Sequence, residues 1–157
     1  MGMFEFKRDD IVRSAVLQMH TAIEDLMTDM LYSWILGAPR RKLGRKTRYT
    51  KRGQALSRLL SGGALGFDKK LDFAVVMGVI NSKTRDKLRE LNAVRNKCSH
   101  HWRLDALVLG KTTRKQKRPC LLNFRGRDLH KVATLEAFVS EYAGVYLQLY
   151  AKSINQS

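Results

Sequence analysis

The sequence predicts an all-α protein: an antiparallel helical bundle of about five helices, with a basic loop and a short β-hairpin or arm before the last helix. Three observations carry this. Only two prolines, Pro39 and Pro119, occur in 157 residues, so long helices are permitted almost everywhere. Apolar residues recur at spacings of three and four over most of the chain. Gly, Asp and Ser stand where those periodic runs begin and end. The length fits a single domain over 1–157, enough to hide about two-thirds of its unfolded surface.

Residues 10–36 read as a long amphipathic helix. Asp9 or Asp10 can cap it, and Gly37-Ala38-Pro39 stops it. Val12, Ala15, Val16, Met19, Ile23, Leu26, Met27, Met30 and Trp34 follow the 3.6-residue period. A loop over 37–50 and a short helix over 51–61 come next, broken by Gly62, Gly63 and Gly66. Asp68 can cap a helix to Ile80. Asn81-Ser82 is a turn, with Ser82 capping a helix from Lys83 to about His101. In that helix Leu88, Leu91, Val94 and Cys98 form one buried stripe. From Leu104 to Phe124, LDALVL and PCLLNF flank GKTTRKQKR; a two-strand hairpin with a basic tip and a plain loop both fit. Asp128 then caps a last helix with Leu135, Phe138, Val139, Tyr142, Val145, Tyr146, Leu149 and Tyr150 on its apolar face.

Thirty Lys and Arg against fourteen Asp and Glu give +16. Such a balance says nothing about fold but predicts attraction to polyanions. The charge is also segregated. Up to Leu36, six acids oppose three bases, net −3. Then Arg40, Arg41, Lys42, Arg45, Lys46, Arg48, Lys51, Arg52 and Arg58 follow with no acid among them. A second acid-free cluster holds Lys111, Arg114, Lys115, Lys117, Arg118, Arg125 and Arg127. Phosphate contacts from Lys and Arg supply most non-specific nucleic-acid affinity. Neither run contains a helix-turn-helix, zinc-finger or RNP signature, so sequence-specific base reading is not indicated. A membrane-surface role is disfavoured because the basic runs do not read as amphipathic helices.

Several chemistries are excluded. Cys98 and Cys120 form no CxxC pair, and two cysteines are no disulfide scaffold, so reduced thiols in a cytoplasmic protein are expected. MGMFEFKRDD lacks the apolar stretch of a signal peptide. GKTT at 110–113 lacks the first glycine that a P-loop needs, which removes a nucleoside triphosphatase. Cys98, His100 and His101 are close, but no spacing completes a zinc shell, so no metal or cofactor is expected. His20 and His130 read as surface or packed histidines.

What remains is LNAVRNKCSHHW at 91–102. Arg95, the polar Asn96, then His100 after four intervening residues, or His101 after five, resembles the signature of the HEPN superfamily. LGFDKKLDFAVVMGVI followed by LRELNAVRNKCSH, together with MHTAIEDLMTDML, is similar to its mannitol-operon-repressor-like branch. The resemblance covers most of residues 10–103. It implies a homodimeric helical bundle. Many such proteins are metal-independent ribonucleases, often toxins with an antitoxin or other regulatory partner, or defence factors. Others are inactive and only bind nucleotide or RNA. In one toxin branch a Tyr two residues after the His is modified by a partner nucleotidyltransferase; the residue here is Trp102.

The residues suit that chemistry. A guanidinium at Arg95 can grip a phosphate bidentately and stabilise charge on its transition state. An imidazole at His100, or at His101, can exchange a proton near neutral pH. A helix C-terminus at the motif would favour the protonated imidazole. One His cannot easily serve as base and acid together, which a two-fold dimer would solve. The expected function is thus an RNA-binding protein, most simply a metal-independent endoribonuclease. The alternative is a non-catalytic regulator that binds nucleic acid or a protein partner.

Overall fold

A computed structural model describes residues 3–37, 50–61, 65–108 and 122–155; residues 3–9, 61 and 100–108 are described as backbone only. Among the described residues are five helices and one two-stranded antiparallel sheet, so the fold class is all-α, a helical bundle. The chain forms two compact units, Met1–His20 with Glu90–Ala143, and Thr21–Arg89 with Gly144–Ser157.

Helix α1 is Met3–Leu36. It begins before Asp9 and Asp10, so neither caps it. Nothing in FEFKR breaks a helix, and an acid inside a helix costs only a fraction of a kcal/mol, below about 1. Its end lies where glycine predicts it. Gly37 has φ +74° and donates its N–H to the Ser33 carbonyl at 2.8 Å. Helix α2, Lys51–Ser61, starts at Thr50, whose Oγ1 accepts the Gly53 N–H at 3.1 Å.

Helix α3, Phe67–Val76, corrects two expectations. Asp68 lies inside the first turn and Gly66 holds the cap position with no side-chain bond. The helix also stops four residues before Ile80. Gly78 turns left-handed at φ +71°, its N–H donates to Val75 O at 3.0 Å, and Val79 N–H donates to Ala74 O at 2.8 Å. This is a Schellman stop, which an apolar run conceals from a periodicity reading.

Helix α4 is Ser82–Val108. Asn81, not Ser82, caps it, with Oδ1 accepting the Thr84 N–H at 2.8 Å. It runs seven residues past His101, so LDALV is helix rather than strand. Its two leucines and alanine are good helix formers and no Gly or Pro intervenes. The hairpin lies later, as β1 Asn123–Phe124 and β2 Arg127–Asp128, with Asn123 opposite Asp128 and Phe124 opposite Arg127. Arg125 and Gly126 make the turn with φ of +50° and +76°, the sign that tight hairpins need.

Helix α5 is Val132–Asn155. Asp128 does not cap it. Its Oδ1 accepts both the His130 N–H and the His130 ring Nδ1–H at 2.9 Å, which shapes the turn before the helix.

In the first unit Phe124, Phe138 and Tyr142 are buried and their rings interlock: 5.2 Å edge-on between the phenylalanines and 4.9 Å from Phe138 to Tyr142. Val12, Val16, Leu91, Val94, Cys98 and Leu129 are buried there as well. In the second, Ile23, Met27, Leu31, Leu60, Leu71 and Leu88 are buried. There Lys70 joins α3 to α1 through Glu24 at 2.7 Å. Trp34, expected on the apolar face, is 49% exposed. No described helix is long and apolar enough to cross a membrane.

Candidate functional site

The buried stripe Leu88, Leu91, Val94 and Cys98 fixes how α4 is rotated in the first unit from Glu90 onward. Arg95 and Asn96 follow Val94 and are half-buried. Arg95 Nη1 donates to Asn96 Oδ1 at 3.0 Å, so the amide holds the guanidinium against the helix. Ser99 Oγ donates to the Arg95 carbonyl at 3.2 Å. The helix is unbroken through 95–101. Position 100 therefore stands one turn beyond Asn96 on the same face, and position 101 is rotated about 100° further round.

That continuity removes one argument. The motif was expected at a helix C-terminus, but α4 continues to Val108 and the dipole acts only within the last turn.

Two polar residues pack beside the motif: Arg13, to which the sequence assigned no site role, and His20, which is packed rather than on the surface. Arg13 of α1 is only 8% exposed and donates from Nη1 to the Cys98 carbonyl at 3.0 Å. His20, 3% exposed, meets the buried Asn92 amide oxygen through Nε2 at 3.2 Å. Both fall on the stripe Arg13, Val16, His20, Ile23, Met27, spaced at three and four, and that placement is the signal that finds them. Asp10, Arg13, Ser14, Leu17, Cys98 and Ser99 line a shallow recess of about 450 Å³ there.

Not every predicted cation is available. Arg125, read with the second basic cluster, is consumed by carboxylates: Nη2 bonds Glu141 at 2.8 Å and Glu90 at 3.1 Å. Its guanidinium lies 4.8 Å from the Phe124 ring centroid. Burial, and then the Glu90 carboxylate, push the Tyr142 phenol well above its ordinary range. Arg125 is thus a clasp between the hairpin, α4 and α5. Lys51 and Arg52 are exposed on α2, which is amphipathic, contrary to the reading of the basic runs. Its apolar face, Leu56 and Leu60, is buried in the second unit and unavailable to a bilayer. Arg40, Arg41, Lys42, Arg45, Lys46, Arg48, Arg114, Lys115, Lys117 and Arg118 lie outside the described residues, as do the side chains of His100 and His101. Among the described residues no three His, Cys, Asp or Glu converge as a metal site would require. Cys98 is a buried free thiol.

No protein-family model, curated protein or solved structure matches this chain.

Proposed function

We propose that the chain is an RNA-binding protein of HEPN type, a metal-independent endoribonuclease that acts as a homodimer through Arg95 and His100. The supporting observation is the Arg95–Asn96 bond within an unbroken helix, one turn before position 100. Asn96 positions the guanidinium on its own face of α4, and position 100 shares that face while position 101 does not. This favours His100 over His101 as the functional imidazole. The ribose 2′-oxygen attacks the adjacent phosphorus and gives its proton to one imidazole. The P–O2′ bond forms, the P–O5′ bond breaks, and the second protomer's imidazole protonates the leaving 5′-oxygen. Arg95 stabilises the charge that builds on the phosphate oxygens. The products are a 2′,3′-cyclic phosphate and a free 5′-hydroxyl.

The test is cleavage of mixed RNAs by purified protein in EDTA. Cutting with those termini is expected, abolished by Arg95→Ala or His100→Ala and retained by His101→Ala. RNA that is bound but left uncut would instead establish the second reading, a non-catalytic regulator with a nucleic-acid or protein partner. The extension of α4 past the motif favours that reading, since it withdraws the dipole from the imidazole. An antitoxin or other regulatory partner belongs with the nuclease reading.

A further inference from the structure

Many cations among the described residues are bonded: Lys70, Arg85, Arg89 and Arg125 to carboxylates, Arg95 to an amide and Lys152 to the Val79 carbonyl. Lys69, Lys83 and Lys97 are exposed on helices that also carry acids. Helix α2 combines exposed cations with an absence of acids. None of its cations, Lys51, Arg52 and Arg58, bonds a partner among the described residues, and all three are exposed. No acid occurs in the helix. Gly53, Leu56 and Leu60 are buried, which fixes the opposite side outward. Lys51, Ala55 and Arg58 stand at i, i+4 and i+7 along the middle of that outward side, with Arg52 and Leu59 flanking them.

We infer that the outward face of α2 is a phosphate-binding track for RNA, a surface that rests on the RNA-binding reading and extends it to Arg58. Lys51 and Arg58 are separated by about 10 Å along the helix axis. A nucleic-acid strand presents two or more phosphates over that length. The small Ala55 between them lets a strand approach the helix closely. Unpaired like charges on one short helix repel each other, and a polyanion relieves that repulsion. An acidic protein surface suits the face less well, because protein interfaces are anchored by buried aromatic and aliphatic groups. Here the only large apolar side chain is Leu59, at 39% exposure.

The experiment measures affinity for a 20-nucleotide 2′-O-methyl RNA against salt concentration. That probe keeps every phosphate and has no 2′-hydroxyl to attack, so binding is read apart from cleavage. Lys51→Gln with Arg58→Gln should lower the slope of log affinity against log salt by about 1.4, two contacts at ~0.7 each for a single strand. Lys69→Gln with Lys83→Gln removes the same charge from exposed sites elsewhere and should leave the slope nearly unchanged. Ala55→Glu, on an exposed helical position, should weaken binding about tenfold at 0.1 M salt while the helical circular dichroism stays intact. An unchanged slope in the α2 pair, or an equal loss in the control pair, overturns the inference. So does a loss confined to polyglutamate or phosphatidylserine vesicles with RNA affinity kept. Wild-type protein that binds no RNA defeats the broader reading instead, a distinct result.

Discussion

Asp128 holds the turn into α5 through a single oxygen that accepts two bonds from His130. The backbone N–H of His130, chiefly, draws its carboxyl below the ordinary value of 3.8. A depressed carboxylate contributes stability above the unfolded value and loses it as pH falls through the folded one. As pH falls below the ordinary carboxyl value, the wild type should therefore lose stability more steeply than Asp128→Asn. Urea unfolding across that range measures the difference; identical slopes would show that this turn has no part in acid unfolding. Arg13 and His20 teach a related lesson about single residues. Both occupy core positions of α1, where their spacing marks them but a search for apolar side chains skips them. What cannot be read from sequence is their partners. The Cys98 carbonyl and the Asn92 amide lie 85 and 72 residues away, so only the fold brings them together.

Helix ends decide how the elements are cut, and glycines did this unevenly. Gly37 was legible because it follows a clean apolar period and precedes a proline. Gly78 was not, because VVMGVI continues the apolar run on both sides, and only the left-handed φ reveals the stop. The two glycines Gly78 and Gly144 give a paired test of opposite sign. Gly78→Ala forces a side chain into φ +71° and should cost about 1–2 kcal/mol. Gly144 sits within α5 with open space around its missing Cβ, so Gly144→Ala should stabilise by about 0.5–1 kcal/mol. Thermal unfolding should place the first about 3–6 °C below wild type and the second above it. Equal shifts would mean that the Schellman stop at Gly78 is not formed. The α4 end was missed for a different reason. A six-residue apolar piece fits strand and helix alike, and the competition was settled by Leu and Ala propensity.

For the whole molecule, charge and stoichiometry matter more than any one contact. Segments 38–49 and 109–121 carry eleven of the thirty cations and none of the fourteen acids, so the remainder holds nineteen cations against fourteen acids, net +5. The excess of positive charge was therefore legible from sequence, because charge needs no fold to be counted. The sharing of a site between chains, which the proposed reaction requires, was not legible, since Arg95, Asn96 and His100 occur once per chain and symmetry leaves no mark on a sequence. The proposed reaction needs a base and an acid, and each protomer offers one imidazole at position 100. If both imidazoles serve one phosphate, a dimer with a single His100→Ala subunit is inactive. Equal amounts of wild-type and His100→Ala protein, differently tagged and re-equilibrated until exchange is complete, contain intact dimers as about one quarter of the total. Activity per dimer should therefore fall to about a quarter of the wild-type value. If each subunit carries a complete site, the same mixture keeps about one half, and the shared site is refuted. Sedimentation run alongside closes the remaining route: full activity from a monomer at micromolar concentration would refute the shared site as well.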